Sequence, residues 1–111
     1  MLCAASNGNN LMLANQLAQY CKTLAMEHCV VDLVGYHLPL YSPPVEQQGI
    51  PKSVQQLYEV FQQAKGFVFC APEYNGSIPP VLTNVIAWLS VLGADFRSLF
   101  NRKPVGLATH S

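Results

Sequence analysis

Two short polar stretches hold most of the side chains in this chain that could do chemistry, and each sits between an apolar run and a helical pattern. The first is Ser6-Asn7-Gly8-Asn9-Asn10. Gly8 permits close backbone approach, and the unpaired N–H groups of the following helix face whatever lies before it. Asn10 reads as the N-cap of that helix, while Ser6 and Asn7 add side-chain donors. Such a turn suits an anion. It has no Lys, so it is not a Walker-type phosphate loop, and it lacks the G-x-G-x-x-G of dinucleotide folds. Taken alone, an ordinary strand-to-helix turn would read the same way.

The second stretch is Pro72-Glu73-Tyr74-Asn75-Gly76-Ser77, after the apolar run Gly66 to Ala71 and before a helix opening on Pro79-Pro80. It offers an aromatic face, an amide side chain and close backbone N–H groups to a flat heteroaromatic ligand. Gly76 lets the chain pass without a Cβ in the way. By themselves, Tyr74 capping the core and Asn75 satisfying a turn would explain those residues equally well.

The elements that position these stretches alternate along the chain. A stubby first strand, Leu2 to Ala5, leads into a helix running to about His28. Its apolar stripe is Ala14, Leu17, Ala18, Cys21, Leu24 and Ala25, the spacing of a helix lying on a sheet. Cys29 to Val34 reads as a second strand, rich in β-branched valine. Pro39, Pro43, Pro44 and Pro51 keep the segment 35–51 from being helical over much of its length. A second helix spans roughly Lys52 to Ala64, the third strand is Gly66 to Ala71, and a third helix runs from Val81 to Leu92. That last helix is apolar on nearly every side and needs cover beyond the sheet. Pro104 to Thr109 forms a fourth strand. The order βαβαβαβ implies a parallel sheet with right-handed crossovers in a single domain over residues 1–111. Ligands of such sheets bind in the crevice beyond the carboxyl ends of the strands.

Composition narrows the classes. Only 11% of the 111 residues are charged and the formal net charge is zero, so no basic cluster exists to neutralise nucleic-acid phosphates. No apolar run reaches membrane-spanning length, and no leader pattern precedes a cleavage site, which predicts a cytoplasmic protein. Cys3, Cys21, Cys29 and Cys70 form no C-x-x-C pair, and His28, His37 and His110 lack metal-ligand spacing. They read as buried free thiols in a reducing compartment, with no metal site.

The run P-E-Y-N-G-S-I-P-P-V-L-T-N-V-I-A-W-L-S, Pro72 to Ser90, resembles the second ligand loop of the NADPH-dependent FMN reductase family. The first loop resembles that family's S-x-R-x-x-S-x-N pattern loosely, with the usual Arg absent. The resemblance covers essentially the whole chain. It implies a flavodoxin-like doubly wound α/β fold, strand order 2-1-3-4(-5), with the switch point between strands 1 and 3. It also implies non-covalent FMN, with the phosphate on Ser6 to Asn10 and the ring against Pro72 to Ser77. His110 and Ser111, at the carboxyl end of strand 4, would lie on the same side of the sheet.

No catalytic side chain is implied, because the flavin carries the chemistry; Glu73, the one acid there, would serve as a structural hydrogen-bond partner. NADPH or NADH would supply hydride, and a quinone, azo compound, chromate or free flavin would receive it. The other reading is a flavodoxin-like electron carrier reduced by a partner protein, although flavodoxins are usually acidic. Family members are usually dimers or tetramers, and the apolar third helix would contribute to that contact. Thr83 stands where the family often has Lys, and Ala87 where an Asp often precedes the Trp. Pro39-Leu40-Tyr41 resembles the family's L-P-x-Y/F segment, a wall of the pocket or an interface. The family continues past a fourth strand, so the chain reads as truncated there, leaving that strand as an exposed apolar edge.

Overall fold

The structure is a computed structural model that describes residues 1–6, 8–73, 76–92 and 96–109. Four short strands, Leu2–Ala4 (β1), Val30–Asp32 (β2), Phe67–Cys70 (β3) and Val105–Ala108 (β4), form one sheet in the order β2-β1-β3-β4. All pairings are parallel, with Ala4 opposite Asp32 and Cys70, and Cys70 opposite Ala108. This is the flavodoxin-like α/β order expected from the sequence, with the direction of winding reversing between β1 and β3.

The pleat sends alternate residues to opposite faces. Cys3, Val31, Phe67 and Phe69 join one core with Leu57 and Phe61 of α3 (Lys52–Gln63) and Leu82, Val85 and Leu89 of α4 (Pro80–Ser90). Phe61 and Phe67 stack at 5.3 Å, and Phe100 packs tilted against Phe67 at the same separation. On the other face, Leu2, Ala4 and Cys70 meet Ala14 and Ala18 of α1 (Asn9–Thr23). Small residues on α1 let its backbone lie close to the sheet.

Three local outcomes depart from the sequence reading. Helix α1 ends at Thr23 rather than near His28. Ala25 takes a left-handed conformation (φ 56°), its N–H donates to the Lys22 carbonyl and the Met26 N–H donates to the Cys21 carbonyl. That is a Schellman cap without glycine, which stops the helix although its apolar stripe continues. Within the proline-rich segment, Pro43–Gln47 forms a short helix, α2. Pro43 and Pro44 occupy its first turn, where the missing N–H costs nothing, and the Ser42 hydroxyl accepts the Val45 N–H. Finally, Asn10 is not an N-cap: Gly8 is, its carbonyl accepting the Met12 N–H. Asn10 instead sits in the first turn, 2% exposed.

The apolar α4 finds its extra cover within the chain. The Asn84 amide accepts the Tyr41 N–H at 2.8 Å and donates to the Pro39 carbonyl at 3.0 Å. The Trp88 indole N–H donates to the same carbonyl at 2.7 Å, and its ring meets the Tyr41 ring edge-on at 5.1 Å. The segment 39–41 is thereby strapped along α4, which accounts for the complete burial of Trp88. Strand β4 is open as expected, with Val105 50% and Leu107 82% exposed.

Candidate ligand site at the carboxyl edge of the sheet

The first polar stretch leaves β1 and the second leaves β3, two strands hydrogen-bonded to each other. The pairing persists past the strand ends: the Ala5 N–H donates to the Cys70 carbonyl at 2.9 Å. Parallel strands lie about 4.8 Å apart, so the two stretches start side by side at the reversal point of the sheet. The topology alone brings together two segments that are more than sixty positions apart in sequence.

On the first stretch, Ser6 is half-buried, Gly8 and Asn9 are exposed and Asn10 is buried. The Met12 N–H donates to the Gly8 carbonyl, which places the amino-terminal turn of α1 directly after this stretch. Among the described residues, the N-cap Gly8 has no side-chain cap and the first turn holds no acid. Positive potential from the helix axis is therefore unopposed there.

On the second stretch, Pro72 is half-buried, while Glu73, Gly76 and Ser77 are exposed. Gly76 has φ 77°, a left-handed turn that any L side chain would strain, and nothing lies within 4 Å of a Cβ built there. The same open space surrounds Gly8. Both glycines thus border room for a ligand to approach the backbone. Five of the expected binding residues (Asn7, Tyr74, Asn75, His110 and Ser111) lie outside the described residues. Among the described ones, the structure gathers Ser6, Gly8, Asn9, Asn10, Pro72, Glu73, Gly76 and Ser77 at one edge of the sheet.

Two depressions open elsewhere on the described surface. One of about 440 Å³ borders β2 and α3, and one of about 100 Å³ lies between Leu38 and α4. Neither is lined by a residue of the two stretches. Sequence reasoning passed over Asn84, which ties segment 39–41 to α4. Its signal was an Asn inside an apolar helix, a residue that helix propensity alone disfavours.

The cysteines are all free. Burial pushes the Cys3 thiol up to about 12 and raises Cys70 in the same direction. Cys29 is exposed, contrary to the expectation of buried thiols, because it precedes the strand at the sheet's outer edge. No group of His, Cys, Asp and Glu among the described residues could hold a metal ion.

A parallel sheet in the order β2-β1-β3-β4, with α1 on one face and α3 and α4 on the other, defines an α/β protein of the doubly wound, flavodoxin-like class. Residues 2–111 match the sequence pattern of the NADPH-dependent FMN reductase family, and the chain belongs to that family, an oxidoreductase family working with FMN and a reduced nicotinamide. A quinone reductase of Escherichia coli strain K12 is 48% identical over 56 residues, 50% of this chain and 30% of that protein. An NAD(P)H-dependent FMN reductase of Pseudomonas aeruginosa is 40% identical over 61 residues, 55% of this chain and 32% of that one. The chain thus aligns with about a third of these relatives' length. FerB of Paracoccus denitrificans, a flavoenzyme NAD(P)H:(acceptor) oxidoreductase, shares the fold with a TM-score of 0.79. That match covers 99% of this chain and 59% of FerB at 22% identity.

Proposed function

We propose that the protein is an NAD(P)H-dependent FMN reductase passing reducing equivalents to a small acceptor such as a quinone, azo compound, chromate or free flavin. The observation that carries this reading is the junction of the two stretches at the carboxyl ends of β1 and β3. The residues present fit FMN. Open backbone at Gly8 and Gly76, the amino-terminal end of α1 and the absence of an acid in its first turn suit a phosphate beside a flat ring.

Ser6, Gly8, Asn9 and Asn10, with Asn7, would hold the phosphate, and Pro72 to Ser77 would hold the ring. When bound, FMN supplies the hydride-accepting and hydride-donating chemistry. The chain's own part is binding and orientation. The β1–β3 pairing sets the distance between the phosphate and ring subsites. The left-handed turn at Gly76 keeps the backbone of the second stretch near its ligand, and the strap on Asn84 and Trp88 steadies the helix that follows. No described side chain is required to move a proton.

We also propose a homodimer or homotetramer, because Pro80, Thr83, Ile86 and Ser90 leave an uncharged side of α4 in solvent. Four free cysteines fit a cytoplasmic, reducing compartment. No described helix is long and apolar enough to cross a membrane.

The test is the visible spectrum of the purified chain after FMN loading and desalting, followed by NADH, and in a parallel sample NADPH, without oxygen. Retained flavin bands that bleach within the turnover time are expected. Bands that stay unbleached would favour the electron-carrier reading. A protein that keeps no flavin would overturn the site assignment.

A further inference from the structure

The larger depression lies at the carboxyl end of β2, where Val30, Val31 and Asp32 meet Gly35, Tyr36 and the first turns of α3. Its volume, about 440 Å³, lies within the range of small-molecule sites. The polar groups around it are a carboxylate (Asp32), a phenol (Tyr36), a hydroxyl (Ser53) and an amide (Gln56). No Lys, Arg or His lines it among the described residues.

The carboxylate has one oxygen in use. Asp32 Oδ1 accepts the Val34 N–H at 3.1 Å, closing the turn after β2, while no described donor bonds Oδ2. A Cβ at position 35 would stand 3.0 Å from Oδ2, so Gly35 keeps the approach to that oxygen open. Asp32 also stands opposite Ala4, one strand away from the root of the Ser6–Asn10 stretch. The depression therefore shares the carboxyl edge of the sheet with the proposed flavin site.

We propose that this depression holds the adenosine ribose of the nicotinamide co-substrate, with Asp32 Oδ2 accepting from its 2′,3′-diol and selecting NADH over NADPH. The inference rests on the reductase reading, which places a reduced nicotinamide at this edge. A free carboxylate oxygen accepts hydroxyl donors well, in a charge-assisted bond. The same charge repels a 2′-phosphate, and nothing lining the depression offsets it.

The test uses the whole chain, ¹⁵N-labelled, titrated with ADP-ribose and with its 2′-phosphorylated form. FMN binding is measured separately by quenching of flavin fluorescence. Asp32→Asn keeps an acceptor for the Val34 N–H, removes the charge and replaces the second acceptor oxygen by an amide donor. Gly35→Ala crowds Oδ2 at 3.0 Å while keeping the charge. Saturable shifts at the amides of Asp32, Gly35 and Ser53 are expected with ADP-ribose. The 2′-phosphorylated ligand should bind about tenfold more weakly, and Asp32→Asn should weaken ADP-ribose about tenfold and narrow the gap. Gly35→Ala should weaken it as well. Shifts confined to other residues, equal affinity for the two ligands, or an unchanged Asp32→Asn would overturn the inference. Should FMN bind while ADP-ribose leaves these amides unmoved, the inference falls and the reductase reading stands. ADP-ribose binding here without FMN binding would support the diol site and count against the flavin site.

Discussion

At the scale of single residues, burial and backbone conformation decide what each group can do. Cys3 titrates near 9.0 when unfolded and at about 12 in the fold, because burial disfavours its thiolate. Its raised value means that stability from this group is complete below pH 9 and drains away as the pH climbs toward 12. Urea titrations between pH 8 and 11 should show stability falling with pH, and Cys3→Ala should flatten that limb. In native protein at pH 8, a thiol reagent should label Cys29 quickly and reach Cys3 and Cys70 only on unfolding. Gly76 makes a second prediction. An alanine there must accept φ 77°, which costs about 1 kcal/mol. Gly76→Ala should lower urea-unfolding stability by that amount and weaken FMN retention, read by flavin fluorescence.

At the scale of elements, caps and clamps place the ends that hydrophobic spacing leaves undefined. The stripe on α1 runs through Leu24 and Ala25, yet the helix stops at Thr23 because a Schellman pair of hydrogen bonds is satisfied there. Replacing Ala25 by Gly relieves a left-handed alanine and should stabilise the fold by about 0.5–1 kcal/mol, checked as a rise in the urea midpoint at constant slope. Asn84 works in the opposite sense. Its removal in Asn84→Ala leaves the Tyr41 N–H without its partner and should cost about 2 kcal/mol. Hydrogen exchange should then show the Tyr41 amide losing protection while β1 and β3 keep theirs. Tyr41 is also held by its own hydroxyl, which donates to Glu46 Oε1 at 2.6 Å, and that bond pushes the phenol pKa up.

At the scale of the whole molecule, β4 is the outermost strand of the sheet among the described residues. Val105 and Leu107 sit on β4 with half or more of their surface in solvent, on a strand paired only with β3. An apolar edge of this kind templates association with other chains. Leu107→Lys should reduce concentration-dependent association, measured by light scattering, and change stability by less than about 0.5 kcal/mol. Unchanged association would show that another surface drives it.

The order of elements, the parallel sheet and the two ligand-side stretches were legible in the sequence. Hydrophobic period reports whether a segment lies on a core, and an alternating βα order restricts the topology to few choices. The P-E-Y-N-G-S-I-P run, by its likeness to one family, also carried the flavin reading. Only the tertiary structure decided where α1 ends, that Pro43 and Pro44 start a helix, that Asn84 and Trp88 strap the segment 39–41, and that Asp32 has a free oxygen above a depression. Each of these depends on contacts between residues distant in the chain or on local cap and backbone geometry. Neither leaves a periodic mark in the sequence.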